Sequence, residues 1–86
     1  MHYVYLLQSE VDARQRYVGS TKDLKLRLKQ HNAGESPHTA KSKPWKLHAY
    51  FGFVDERLAA EFEQYLKSGS GREFARRHFW QPADAR

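Results

Sequence analysis

The sequence predicts an α+β domain whose elements run in the order ββαβαα. Three observations carry this. Residues 2–8, 16–19 and 47–54 are rich in β-branched and aromatic side chains, as strands are. Apolar residues recur at helical spacing over about 22–33 and 55–67. Glycine, proline and serine cluster between these segments, where they punctuate the chain.

The first strand, His-Tyr-Val-Tyr-Leu-Leu-Gln at 2–8, is apolar at successive positions and so reads as covered on both faces. Glu10 to Gln15 is polar and unperiodic, a hairpin loop leading to the partner strand at 16–19. Ser20 and Thr21 offer hydroxyls to cap the first helix, and Asp23 lies where the positive end of the helix dipole favours an anion. In that helix Leu24, Leu28 and His31 form one ridge with Arg27 on its flank, and Gly34 stops it. Residues 34–46 form a surface loop, basic by Lys41, Lys43 and Lys46. After the third strand, Asp55 caps a second helix that runs to about Lys67 and buries Leu58, Ala59, Phe62, Tyr65 and Leu66, with Glu63 on the border. Ser68-Gly69-Ser70-Gly71 interrupts the pattern. Ser70 and Glu73 then make a capping box for a last helix at about 71–80, which turns Phe74, His78 and Phe79 inward and Arg72, Arg76 and Arg77 outward.

At 86 residues this is a single domain, 1–80, with a frayed tail at 81–86. Two tryptophans, five tyrosines and five phenylalanines must supply much of its core. The absence of cysteine excludes disulfides, thiolate zinc sites and cysteine nucleophiles together. No apolar run approaches membrane length, so the expected setting is cytosolic, with no membrane partner. A net charge of +5 points to a polyanionic partner. Lys22, Lys41, Lys43, Lys67, Arg72, Arg76 and Arg77 are the candidate phosphate contacts, although such residues are more often a solvated face.

The residues able to do chemistry are Tyr5, Tyr17, Arg27, His31 and Glu63. An arginine and an imidazole on the apolar side of one helix are costly without partners. The histidines have no metal-ligand spacing, and no serine has a nucleophile-elbow context. Phenol, guanidinium, imidazole and carboxylate on a basic scaffold suit phosphodiester hydrolysis. A carboxylate can give a hard cation an oxygen ligand, an arginine fork can meet charge developing on phosphate, and a tyrosine or histidine can position or deprotonate water. Each residue also has a bland reading. The tyrosines could be ordinary strand aromatics, His31 a core histidine bonded to a carbonyl, and Glu63 an i,i+4 partner of Lys67.

Tyr3-Val4-Tyr5, eleven residues, then Tyr17-Val18-Gly19 resembles the two half-motifs of the GIY-YIG nuclease family, with Tyr3 where the motif's name has glycine. Arg27, His31 and Glu63 stand where that family carries its catalytic arginine, histidine and metal-binding glutamate. The run from Ser20 to Asn32 and the segment Leu66-Lys67-Ser68-Gly69-Ser70-Gly71-Arg72 look most like its small single-domain bacterial members. The resemblance extends from Tyr3 to about Phe79.

It implies a three-stranded antiparallel sheet flanked by helices, and a DNA endonuclease using one divalent cation, Mg2+ or alternatively Mn2+, on Glu63. Arg27 would stabilise the phosphate, and Tyr5 and Tyr17 would hold and activate water with help from His31; which tyrosine is the base stays open. Phenols near pKa 10 need nearby cations to act as bases at neutral pH. With no separate targeting domain expected in a chain this short, cleavage would be weakly specific, or directed by DNA structure or a protein partner. Two other readings are a non-catalytic nucleic-acid-binding module and an interaction subunit, each retaining the fold.

Overall fold

The computed structural model describes residues 1–80; the expected tail at 81–86 lies outside them. Strands β1 (His2–Ser9), β2 (Arg16–Thr21) and β3 (Trp45–Phe53) form an antiparallel sheet in the order β2-β1-β3. Helix α1 (Leu24–Asn32) follows β2, and α2 (Glu56–Lys67) and α3 (Gly69–His78) follow β3. The ββαβαα order and the α+β class are both present.

The central strand explains the layering. Val4 to Ser9 are all buried, and alternate side chains serve opposite faces. Val4 and Leu6 pack with Ala59, Leu66 and Ala75 of the α2–α3 side, joined by Phe51, Phe53, Phe62 and Phe79. Tyr5 and Leu7 face the other way, into a cluster with Trp45, Tyr17, Leu24 and Leu28 under α1. The sheet thus has a helical layer on each face.

Four local expectations are corrected. The first concerns the α1 cap, which is Asp23 and not Ser20 or Thr21: its carboxylate accepts from Leu26 N at 3.1 Å. Because β2 extends through Thr21, both hydroxyl residues stay with the sheet, and Thr21 Oγ1 bonds to the Asp23 backbone, accepting from Asp23 N and donating to Asp23 O. Gly34 does end the helix, at φ +79°.

The second concerns α2. Asp55 caps it by accepting from Arg57 N, as expected, but the sheet covers only the stripe of Ala59, Phe62 and Leu66. Leu58 and Tyr65 flank that stripe and are 45% and 41% exposed. The third concerns the start of α3. Ser68 accepts from Gly71 N at 3.2 Å, so Ser70 lies inside the helix and no Ser70–Glu73 box forms; Glu73 pairs with Arg76 instead. Ser68 ends one helix and caps the next, leaving no room for a later start.

The fourth concerns which residues of α3 are buried. Phe79 packs on Phe51 and Ala75 is buried, but Phe74 is 40% exposed and lies against exposed His78, the rings tilted and 4.6 Å apart between centres.

The loop between α1 and β3 is more ordered than its breakers suggest. It contains a short 3-10 turn, Ala40–Ser42. Asn32 clamps the start of β3, accepting from Trp45 N at 2.6 Å and donating to Trp45 O at 3.1 Å, while Trp45 Nε1 donates to Thr39 O at 2.8 Å. This pins Thr39 beneath α1.

Candidate active site

Strand register creates the centre of the site. Tyr5 lies opposite Gly19 and Leu7 opposite Tyr17, so all four share the face that α1 covers. Gly19 leaves the space that the two tyrosine rings fill: a Cβ there would lie 2.6 Å from the Tyr5 hydroxyl and 2.8 Å from the Tyr17 ring. The rings are 6.2 Å apart. His31 descends onto them from the last turn of α1, 5.8 Å from Tyr5 and 5.0 Å from Tyr17 between ring centres, and is fully buried.

A hydrogen-bonded chain runs through these groups. Tyr5 Oη lies 2.9 Å from His31 Nε2, His31 Nδ1 lies 2.7 Å from Thr39 Oγ1, and Thr39 Oγ1 lies 3.4 Å from the Ser36 carbonyl. A carbonyl can only accept, so one assignment satisfies all three contacts. The Thr39 hydroxyl donates to Ser36 O, His31 Nδ1–H donates to Thr39, and the Tyr5 hydroxyl donates to an unprotonated Nε2. Thr39 therefore holds His31 in the tautomer that accepts from Tyr5. Sequence reasoning overlooked Thr39, which sits in a breaker-rich loop and carries no motif.

Arg27 comes from the same helix. It stands beside both phenols, and its Nη1 donates to Gln30 Oε1 at 3.0 Å. Hydrogen bonding to Tyr5 is the main influence holding Arg27 protonated. Burial pushes the Tyr5 hydroxyl above its ordinary value; Arg27 opposes that but does not win. Burial, and then the Arg27 charge, hold His31 below its ordinary 6.5. At neutral pH the centre is therefore a protonated phenol donating to a neutral imidazole, beside a guanidinium.

Glu63 arrives from the helical layer on the other face. Its side chain is 21% exposed, and Oε2 accepts from Lys67 Nζ at 2.8 Å, so the i,i+4 pair does form. Its charge still reaches Tyr5, adding to the upward shift of the phenol. Among the described residues no three His, Cys, Asp or Glu side chains gather as a metal-binding group. Of the residues gathered here, Glu63 would offer a cation a single carboxylate. That donor set suits Mg2+, which keeps several waters and takes one or two carboxylates together with substrate phosphate.

The expected basic contacts divide. Lys67, Arg72 and Arg76 share a groove with Tyr17. Lys22 lies in the turn before α1, and Lys41 and Lys43 lie in the loop before β3; all three are exposed. Arg77 is exposed on α3, outside that groove.

Comparisons with known proteins identify the family of the fold. A model of the GIY-YIG catalytic domain matches residues 1–77. The structure-specific endonuclease subunit slx1 of Schizosaccharomyces japonicus is 44% identical over 64 residues, 69% of this chain and 23% of its own length. The SLX1 subunit of Meyerozyma guilliermondii is 41% identical over 71 residues, covering 74% of this chain and 24% of its own. The chain thus spans about a quarter of the length of these relatives. The solution structure of the UPF0213 protein BH0048 from Bacillus halodurans shares 30% identity and a TM-score of 0.53, covering 87% of this chain and 79% of that one. The family match over residues 1–77, together with the paired tyrosines and the Arg27–His31 helix face, places this chain in the GIY-YIG family as a catalytic domain.

Proposed function

We propose that this chain is a metal-dependent endonuclease that hydrolyses DNA phosphodiester bonds. The observation that carries the reading is the buried Tyr5–His31–Thr39 chain with Arg27 beside its phenolic end. A core histidine kept only for packing also needs hydrogen-bond partners, but it has no need of a charged arginine beside its tyrosine partner.

The residues divide the work. Arg27 offers a planar fork to the phosphate oxygens, where negative charge grows in the transition state. Neutral His31 is the proton acceptor. As water attacks phosphorus, the bond to the leaving sugar oxygen breaks and that oxygen takes a proton from solvent. The proton of the attacking water passes to the Tyr5 oxygen while the phenolic proton passes to Nε2, so Tyr5 never becomes a free phenolate. This relay avoids the penalty that burial places on the charged phenol. Tyr17, against the His31 ring, helps to position the water. Glu63 holds Mg2+, with Mn2+ as an alternative, and the bound cation supplies Lewis-acid polarisation of the phosphate. The relatives are named as subunits of structure-specific endonucleases. That supports a substrate chosen by DNA structure, a protein partner that directs the chain, and a role in DNA repair.

A second reading, a binding module without catalysis, draws on the Glu63–Lys67 pair, since a carboxylate engaged with lysine has a structural use already. One experiment separates them. Wild type, Glu63→Gln and Arg27→Ala are incubated with plasmid, branched and single-stranded DNA in Mg2+ or Mn2+. Cleavage by wild type, collapse in both variants and retained DNA binding by Glu63→Gln are expected. Undiminished cleavage by folded Glu63→Gln would remove the metal assignment. Binding without any cleavage by wild type would favour the module.

A further inference from the structure

Beside the proposed site lies a groove of about 700 Å³ between β2 and the α2–α3 hairpin. Arg14, Arg16, Lys67, Arg72 and Arg76 line it, with Glu73 as the one acidic group. Gln15 also lines it, and the rest of its wall is apolar or aromatic: Val18, Leu66, Trp80 and, from the candidate site, Tyr17. The Arg16 guanidinium lies over the Trp80 ring, 5.4 Å from the centroid. Arg14 pairs with Asp12 and Lys67 with Glu63, both outside the groove, and Arg76 pairs with Glu73 within it. Five cations against one acid in its lining still leave the groove basic.

Cations alone would suit any phosphate backbone. An apolar and aromatic lining does not, because the outside of a duplex presents phosphate and sugar while its bases stay stacked within. Unpaired bases can use such a lining, and they also stack on aromatic rings and guanidinium planes. The volume is of small-ligand size, enough for roughly two nucleotides and not for a helix. We propose that this groove holds an unpaired segment of the DNA strand next to the phosphate that is cut, its bases against Trp80–Arg16 and its phosphates on Arg72 and Lys67. The proposal rests on the nuclease reading of Tyr17, and it deepens that reading by naming single-stranded DNA adjoining the cleavage point as the recognised feature.

The test measures binding without catalysis. The full chain, with a chelator present, is titrated into a fluorescein-labelled thymidine oligonucleotide and into a blunt duplex of equal length. Variants Arg16→Ala and Arg72→Ala are compared with Lys25→Ala, which removes the same charge from exposed α1 surface away from the groove. The single strand is expected to lose about tenfold or more in affinity in the two groove variants, and the duplex less than about threefold. Arg72 is exposed on its helix, so its variant retains the fold even if Arg16→Ala does not. Equal loss for both DNAs, or none in Arg72→Ala, overturns the proposal. So does displacement of the oligonucleotide by an equal concentration of poly-glutamate, which would assign the groove to an acidic protein segment. Expected binding without cleavage in metal would end the nuclease reading and leave the groove a single-strand site. Cleavage by a wild type whose groove variants bind normally would do the reverse.

Discussion

His31 is an ionisable side chain buried at the centre of the domain, and its protonation state links stability to catalysis. Its pKa is held below the ordinary 6.5 by burial and by Arg27. Above 6.5 the folded and unfolded chains both hold a neutral imidazole. As pH falls, the unfolded chain takes up a proton first, so stability is lost from 6.5 downward until the folded pKa is passed. Cleavage should share this acid limb, because protonated Nε2 cannot accept from Tyr5. Denaturant melts and a pH–rate profile in one buffer series check both, and an acid limb above 6.5 would contradict the lowered pKa. Thr39→Val keeps the shape but leaves Nδ1–H without an acceptor. It should cost about 1–3 kcal/mol in urea denaturation and lower the turnover rate with little change in DNA affinity. A structural role alone would change stability and leave the pH profile where it was. Tyr5, Tyr17, Arg27 and His31 were visible as candidates because polar groups on an apolar ridge need partners. Thr39 was not, because its importance comes from a loop folding back under α1.

At the scale of elements, the α2–α3 hairpin shows how one residue can decide a boundary. Both Ser68 and Ser70 are good caps by type, and the Glu three residues after Ser70 favours the later position. The helices cross too closely for that choice. A Cβ on Gly71 would lie 1.7 Å from Tyr65 O and 2.8 Å from Leu66 Cα, both backbone atoms that cannot swing aside. Gly71→Ala is therefore expected to cost about 3 kcal/mol or more, read as a lowered urea midpoint. Gly69 meets nothing within 4 Å in the first turn of the same helix. Gly69→Ala should be neutral or stabilising by up to about 1 kcal/mol. If both substitutions behave alike, the close crossing is wrong. A moved crossing would also move Lys67 and Arg72, which face the groove from its two helices.

Over the whole molecule, the +5 charge is spread so that the groove beside Tyr17 and the loop before β3 are both basic. DNA affinity should accordingly be dominated by counterion release. Raising salt from about 50 to 200 mM is expected to weaken duplex binding by about 100-fold or more, measured by fluorescence anisotropy. A nearly flat salt response would mean that few of these cations meet phosphate. The exposed ion pairs Arg57–Glu61 and Arg76–Glu73 add little to stability in comparison, since water screens them.

By itself the sequence determined the element order, the two-faced burial of β1, the helix ridge carrying Arg27 and His31, and the family. Those features are written in local pattern: side-chain period, breakers, and the spacing of a few chemical groups. Tertiary structure decided the rest. Which face of α2 is covered depended on which of its residues meet the sheet, so Ala59, Phe62 and Leu66 pack in the core while Leu58 and Tyr65 stayed exposed. The direction of the Tyr5–His31 hydrogen bond depended on Thr39, eight residues from His31 in sequence and 2.7 Å from its ring. Arg14 and Arg16 became groove residues only when β2 packed against the α2–α3 hairpin through α2, because a concave surface is made by packing and has no period in the chain.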